Sequence, residues 1–312
     1  MYAHRVKVVV FCHVESGTMR DRQIIYDRSR EEGITAALPR IVEFAENRDI
    51  PITFALTAQS LTLLPIDLGG FPTGIHLHPQ DAALRFVTAG SGTTASDCLR
   101  QYTLDQQRQL ATACEELHVD RVGRRPGVFV AGNWSENTDT IRVLEELRIP
   151  YDGSPLPGHL SPCADWSRLP RLIGPYHPDT ADIQKEGTSR LCLFPVFRGA
   201  WGEYLTPELL HLLGVSYFRA ALLEATVGGL DCIALYFHSP MAIDAFYLDE
   251  FGRFVEIAQD DLDAQFVRPE AVAVTRQQRT RAYPPAYLGN LNFRLLKHLA
   301  ARRFAGVQRR TG

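Results

Sequence analysis

Residues 128–155 read VFVAGNWSENTDTIRVLEELRIPYDGSP. The stretch holds a strand, a helix and a second strand in one pass. The apolar run at 127–131 is short and continuous, which predicts a buried strand. Apolar residues then recur at helical spacing, which predicts a helix over 139–147. Tyr151 opens a second strand that ends in Asp152-Gly153-Ser154. Two strands joined by a helix pair in parallel through a crossover. A parallel sheet with helices on its faces is therefore the expected architecture.

The same alternation continues in both directions. The β-branched run at 6–12 predicts a buried first strand. A polar loop at 13–33 leads to a helix at 34–47, where Leu38, Ile41, Val42 and Ala45 share a face and Pro39 is tolerated near the start. Strands follow at 52–57 and 74–78. Thr103 and Gln106 form a capping box for a helix over 103–117, with Leu110, Cys114 and Leu117 along one side. The Pro-rich stretch 155–178 reads as a surface excursion. A strand at 191–196 precedes Thr206-Pro207-Glu208, a helix start with Thr as cap. Gly228-Gly229 ends the next helix, and 232–237 is the last clear strand. About seven parallel strands with outer helices suit a closed or incomplete barrel as well as an open sheet. The expected division is a barrel over 1–260 and a helical appendage over 261–312, with a basic amphipathic helix at 292–304 packed on the body.

Composition limits the function. The chain has 312 residues, 45% of them hydrophobic, which is ample for a large core. A net charge of −3 gives no basic surface of the nucleic-acid type, so no nucleic-acid partner is expected. No apolar run reaches the roughly 18 residues of a membrane helix, so no membrane partner is expected either. The opening MYAHRVKVVVFC is short in its apolar part and has no small-residue cleavage site, so no secretion signal is expected. The six cysteines, at 12, 98, 114, 163, 192 and 232, form no C-x-x-C pair. They read as reduced core thiols in a cytoplasmic protein.

Histidines carry the chemistry. In Gly74-Ile75-His76-Leu77-His78-Pro79, His76 and His78 share one face of a strand while Leu77 packs the other way. Two imidazoles at a strand end suit Zn²⁺ or a similar divalent metal. The first strand ends in Cys12-His13-Val14-Glu15, where His13 and Glu15 also share a face. Three imidazoles and one carboxylate then stand at neighbouring strand ends, while a catalytic zinc needs about three protein ligands and one open position. His238 ends a third apolar strand and is placed as a general acid. Asn133 and Trp134 follow a strand and suit a sugar-like substrate, the amide toward hydroxyls and the indole against a ring face. Asp152 either orients a ligand or makes a turn with Gly153 and Ser154.

This order of motifs resembles the polysaccharide deacetylase superfamily, of the carbohydrate esterase family four type, over about residues 5–240. GIHLHP is similar to its metal-binding histidine motif, ITFALT to its second strand, residues 128–155 to the stretch whose helix leads to an Asp-Ser pair, and ALYFHSP to the strand with the catalytic histidine. The resemblance implies a deformed (β/α) barrel, a divalent metal, usually zinc, and hydrolysis of N- or O-acetyl groups on sugars. Two positions depart from it. His13 stands where the family has an aspartate base, and Val130 where it has the arginine that pairs with that base. A carboxylate and its guanidinium partner are lost together, which fits electrostatics, because the arginine alone would lack a counter-charge. Arg124 and Arg125 lie close enough in sequence to replace it. His13 is then either the base or a fourth metal ligand.

The expected function is a metal-dependent hydrolase that removes an acyl group, an N-acetyl by preference, from a soluble sugar-like intermediate. Glu15, His76 and His78 would hold the metal, His13 and His238 would move protons, and Asn133, Trp134 and Asp152 would bind substrate. The alternative is an inactive descendant of the fold that binds a carbohydrate or a protein. A third reading, an amidohydrolase barrel, also begins with H-x-H but places that pair on its first strand, whereas here two strands precede His76.

Overall fold

The computed structural model describes residues 5–84, 96–200 and 202–274. Its strands are β1 (Lys7–Val14), β2 (Thr18–Arg20), β3 (Gln23–Ile25), β4 (Ile52–Leu56), β5 (Thr73–Leu77), β6 (Val128–Ala131), β7 (Tyr151–Asp152), β8 (Cys192–Leu193), β9 (Cys232–His238) and β10 (Gln265–Phe266). The longer helices are α1 (Ala37–Asn47), α2 (Leu104–Val122), α3 (Thr138–Glu146), α4 (Val215–Gly228) and α5 (Ala245–Leu262). Seven strands run in the order β9-β1-β4-β5-β6-β7-β8, every neighbouring pair parallel. The two-residue β10 joins β1 as an eighth. Beyond β8 a single parallel bridge, Val196 to Ala234, ties the far edge to β9, with the Phe197 N–H donating to the Ala234 carbonyl at 2.8 Å. The sheet thus curls into a deformed (β/α) barrel whose two edges meet at one bridge.

Local sequence accounts for most elements. β1 and β4 are buried on both faces, which accounts for their mainly apolar sequences, broken after Lys7 only by the buried His13 and Thr53. In α1, Leu38, Ile41, Phe44 and Ala45 face the core, and Pro39 sits in the first turn, where no intrahelical N–H is required. Thr103 and Gln106 close the expected capping box on α2, and Gly123 ends that helix at φ 76°. Asn137 caps α3 with Thr140 as its reciprocal partner.

Four segments differ from the sequence expectation. The loop at 13–33 contains the hairpin β2–β3, turned by Asp21 and Arg22 at φ 51° and 61°. Two residues with φ > 0 make the primed turn that matches strand twist. Thr206 makes no side-chain cap, and the expected helix start is a 3₁₀ turn, Pro207–Leu209, that runs into a short helix, Leu210–Leu213. The stretch 155–178 is not a surface excursion: it buries Trp166, Tyr176, Leu169 and Ile173 in the core. Its prolines and polar residues make the turns, and the apolar residues between them pack inward. The cysteines are not all reduced, since Cys98 and Cys163 form a disulfide with Cα atoms 5.0 Å apart. Cys12, Cys114, Cys192 and Cys232 are free and buried, as expected. A disulfide persists where the surroundings are oxidising, so the cysteine pattern no longer supports a cytoplasmic setting. No helix among the described residues is long and apolar enough to cross a membrane. The helix expected at 292–304 lies outside the described residues.

Candidate active site at the C-terminal strand ends

Parallel pairing sets β1, β4, β5, β6 and β9 with their C-terminal ends at one pole of the barrel. His13 lies opposite His238 on β9, and His76 opposite Val130 on β6. The side chains that end these strands line a cavity of about 470 Å³.

Glu15, His76 and His78 converge in that cavity, with one donor atom from each lying within 4.8 Å of the others. Glu15 Oε2 is 3.8 Å from His76 Nε2 and 3.6 Å from His78 Nε2. The two Nε2 atoms are 3.1 Å apart. The tautomers follow from the partners behind the rings. His76 Nδ1 faces the Val130 carbonyl at 3.2 Å, and His78 Nδ1 faces the Asp97 carboxylate at 2.7 Å. Both partners only accept, so both Nδ1 atoms carry hydrogen and both Nε2 lone pairs point at one spot. Two lone pairs and a carboxylate oxygen facing each other are unfavourable unless a proton or a cation lies between them. The donors, one oxygen and two imidazole nitrogens, suit a divalent ion such as zinc, so these residues fit the metal that the motif resemblance implies.

Burial and the neighbouring His78 and His238 hold the His76 imidazole well below its ordinary pKa. Burial acts the same way on His78 but is outweighed by its hydrogen bond to Asp97 and the charge of Glu15, so its pKa rises. Gly132 makes room for that ring: a Cβ there would come within 2.5 Å of His78 Nδ1.

His238 has a different environment. Glu208 Oε1 accepts from its backbone N–H at 2.6 Å and from its Nδ1–H at 2.7 Å. The Tyr26 hydroxyl also lies 3.0 Å from Nδ1. Nε2 therefore points into the cavity, 3.6 Å from Glu15 Oε1 and 3.3 Å from His13 Nδ1. Burial alone would depress this imidazole, but the carboxylates of Glu208 and Glu15 raise its pKa to about 9. Glu208, Tyr26 and Tyr236 did not emerge from the sequence. Tyr236 had a signal, standing two residues before His238 on one strand face. Glu208 read as a helix-start acid and Tyr26 as a loop residue.

His13 is not among the converging metal donors. Its ring stacks on His76 at 4.6 Å and on Tyr236 at 5.4 Å, with Trp134 tilted against it at 5.3 Å. Its Nε2 is buried without a hydrogen-bond partner among the described residues. Burial first, then the surrounding histidines, hold it uncharged at neutral pH.

Asn133 and Trp134 line the cavity, both at positive φ, 53° and 57°. A bulky residue in that region costs about 1–3 kcal/mol and persists only where its surroundings fix it. Trp166, from the 155–178 segment, supplies part of that: its Nε1–H donates to the Trp134 carbonyl at 3.0 Å. The Asn133 amide is directed inward, donating to Asp97 Oδ2 at 3.0 Å. Asp152 does not line the cavity. It is fully buried, bonded to the backbone N–H and hydroxyl of Ser154. Glu136 lies beside it, and burial together with the Asp152 carboxylate pushes Glu136 well up, so the pair keeps a proton. Neither arginine near Val130 replaces the missing guanidinium. Arg124 donates to the Gly69 and Phe71 carbonyls before β5, and Arg125 pairs with Glu115.

No family model matches the chain, and no curated protein sequence matches it. Solved structures do. A protein from Mycobacterium smegmatis assigned as a polysaccharide deacetylase superposes with a TM-score of 0.60 at 18% identity, covering 90% of this chain and 95% of its own. The allantoinase PuuE gives 0.57 at 15% identity, covering 86% and 89%. A Pseudomonas aeruginosa PAO1 protein assigned as a polysaccharide deacetylase gives 0.54 at 14% identity, covering 86% and 89%. At such identities the likeness is one of fold. The chain shares the barrel fold of these structures, the fold that the order of its motifs implied.

Proposed function

We propose that this protein is a metal-dependent hydrolase that cleaves the C–N bond of an acylated sugar-like small molecule, an N-acetyl group being the preferred acyl. The observation that carries the reading is the meeting of Glu15, His76 and His78 beside a carboxylate-backed His238. The deacetylase and allantoinase names borne by structures of the same fold agree with it.

Glu15, His76 and His78 would hold the metal, zinc by preference. When bound, it supplies Lewis acidity and a water of lowered pKa. The chain's own residues handle the protons. Water adds to the acyl carbon; His238, charged at neutral pH, gives its Nε2 proton to the departing nitrogen as the C–N bond breaks. The proton released by the water then restores that charge, with His13 Nδ1, 3.3 Å from His238 Nε2, as the neighbouring acceptor. Glu208 holds the ring in the orientation this requires, much as a third group orients the base in hydrolase triads. Trp134 and Tyr236, 4.6 Å apart and edge to face, form the apolar wall for a sugar ring. Glu15, Asp27, Asp81, Asp97 and Glu208 line the cavity against one arginine, Arg28, which favours a neutral or cationic substrate over an anionic one.

The test is metal analysis of purified protein together with turnover on N-acetylated sugars. Zinc-restored activity in stripped protein is the expected result, and full activity after exhaustive metal removal rules the reading out. One observation favours binding without turnover: His13, in place of a carboxylate base, is buried and held uncharged. Metal retained with no hydrolysis of any acetylated sugar would select that alternative.

A further inference from the structure

The two histidines of the H-x-H pair are supported in unequal ways. His76 leans on a backbone carbonyl of its neighbouring strand, Val130, which the sheet itself fixes. His78 leans on a side chain, Asp97, which comes from an irregular segment and reaches it at 2.7 Å. Asp97 is itself held. Its Oδ2 also accepts from the Asn133 amide at 3.0 Å, and its Oδ1 accepts from the Gln80 N–H at 3.2 Å and from Arg28 at 3.3 Å. The next residue, Cys98, is bonded to Cys163 across 65 positions of sequence. Cys163 belongs to the same segment whose Trp166 fixes the carbonyl of Trp134. One stapled loop therefore supports both a candidate metal-binding imidazole and the wall of the cavity.

We infer that Asp97 is the positioning residue for His78, and that the Cys98–Cys163 bond keeps Asp97 in place. The inference rests on the metal reading above. A carboxylate accepting Nδ1–H fixes the tautomer, turns the Nε2 lone pair toward Glu15 and His76, and makes the ring a better donor. His76 needs no such device, because a strand carbonyl cannot swing away. The carboxylate on an irregular segment can, and the covalent tie opposes that.

The measurement is zinc affinity of the full chain by competition with a chromogenic chelator, with Co²⁺ absorption as the reporter of ligand geometry. Asp97→Ala is expected to weaken zinc binding by about 10–100-fold, the range for loss of such a support, while Asp97→Asn loses less because its amide oxygen still accepts. The double variant Cys98→Ser/Cys163→Ser is expected to weaken zinc binding in the native background and to add little in the Asp97→Ala background, since both changes act through one carboxylate. In metal-free protein, ¹⁵N NMR of the His78 ring should show the Nδ1–H tautomer dominant, and should show it mixed in Asp97→Asn. Wild-type affinity in Asp97→Ala, or additive losses in the combined variant, would overturn the inference and leave the metal reading standing. Failure of the unaltered protein to bind either zinc or cobalt would remove both.

Discussion

The two poles of the barrel treat charge in opposite ways. At the pole where the strands begin, the two arginines before β6 are both engaged. Arg124 covers carbonyls before β5, and Arg125 holds Glu115 and the Leu147 carbonyl. At the pole where the strands end, imidazole nitrogens face each other, carboxylates gather around one arginine, and His13 Nε2 has no partner among the described residues. Buried polar groups left unmatched cost stability; such atoms occur elsewhere too, as at His118 Nε2 near Arg124, but at the strand ends the imidazoles and carboxylates face a shared cavity. The same division recurs in other (β/α) barrels, whose chemistry sits at the C-terminal face.

The largest expected effect comes from breaking the unmatched pole at its centre. His76→Ala should abolish stoichiometric zinc, read by metal analysis, and turnover with it. His238→Ala should leave zinc in place but lower kcat by about 10²–10⁴-fold, the usual share of a general acid. Equal loss of zinc in both variants would erase the distinction between metal donors and proton carrier. At the opposite pole, Arg124→Ala should change neither zinc content nor turnover. It should lower unfolding stability by about 0.5–1.5 kcal/mol in urea titration, the worth of ordinary hydrogen bonds at an exposed site.

The smallest effect should lie outside the cavity, at Glu136, which is buried beside Asp152 at the end of β7. Its folded-state pKa is raised above the ordinary 4.5 by burial and by Asp152. An acid shifted upward contributes its stability in full below the unfolded value and loses it as pH climbs past that value toward the folded one. Wild-type Tm should therefore fall as pH rises from about 4 to 8 more than that of Glu136→Gln, which has no proton to lose there. Each 1 kcal/mol regained by the variant at pH 8 corresponds to about 2–4 °C in Tm. Parallel melting profiles for the two proteins would show that Glu136 is not held protonated.

The strands that carry the site were readable from their apolar runs, because a strand buried on both faces is mainly apolar. His76, His78 and His238 stood out because each interrupts or ends such a run. Glu208, Asp97 and Tyr26 did not. Asp97 and Tyr26 lie in irregular stretches without periodicity and Glu208 at the start of an apolar helical run, settings where a carboxylate or phenol is ordinary until a fold brings it against an imidazole. Asp152 shows the converse. Its Asp-Gly-Ser setting suggested either a turn or a ligand contact, and it lies fully buried against Ser154.

By itself, the sequence determined the alternation of strand and helix, hence parallel pairing, hence the gathering of strand ends at one pole. Periodicity and apolar run length are local properties, and they suffice for that. Only the tertiary structure decided which polar side chains meet there, that Cys98 finds Cys163, and that the 155–178 segment packs inward. Those outcomes depend on contacts across tens to hundreds of residues, and no local pattern encodes the distance between two side chains so far apart in the chain.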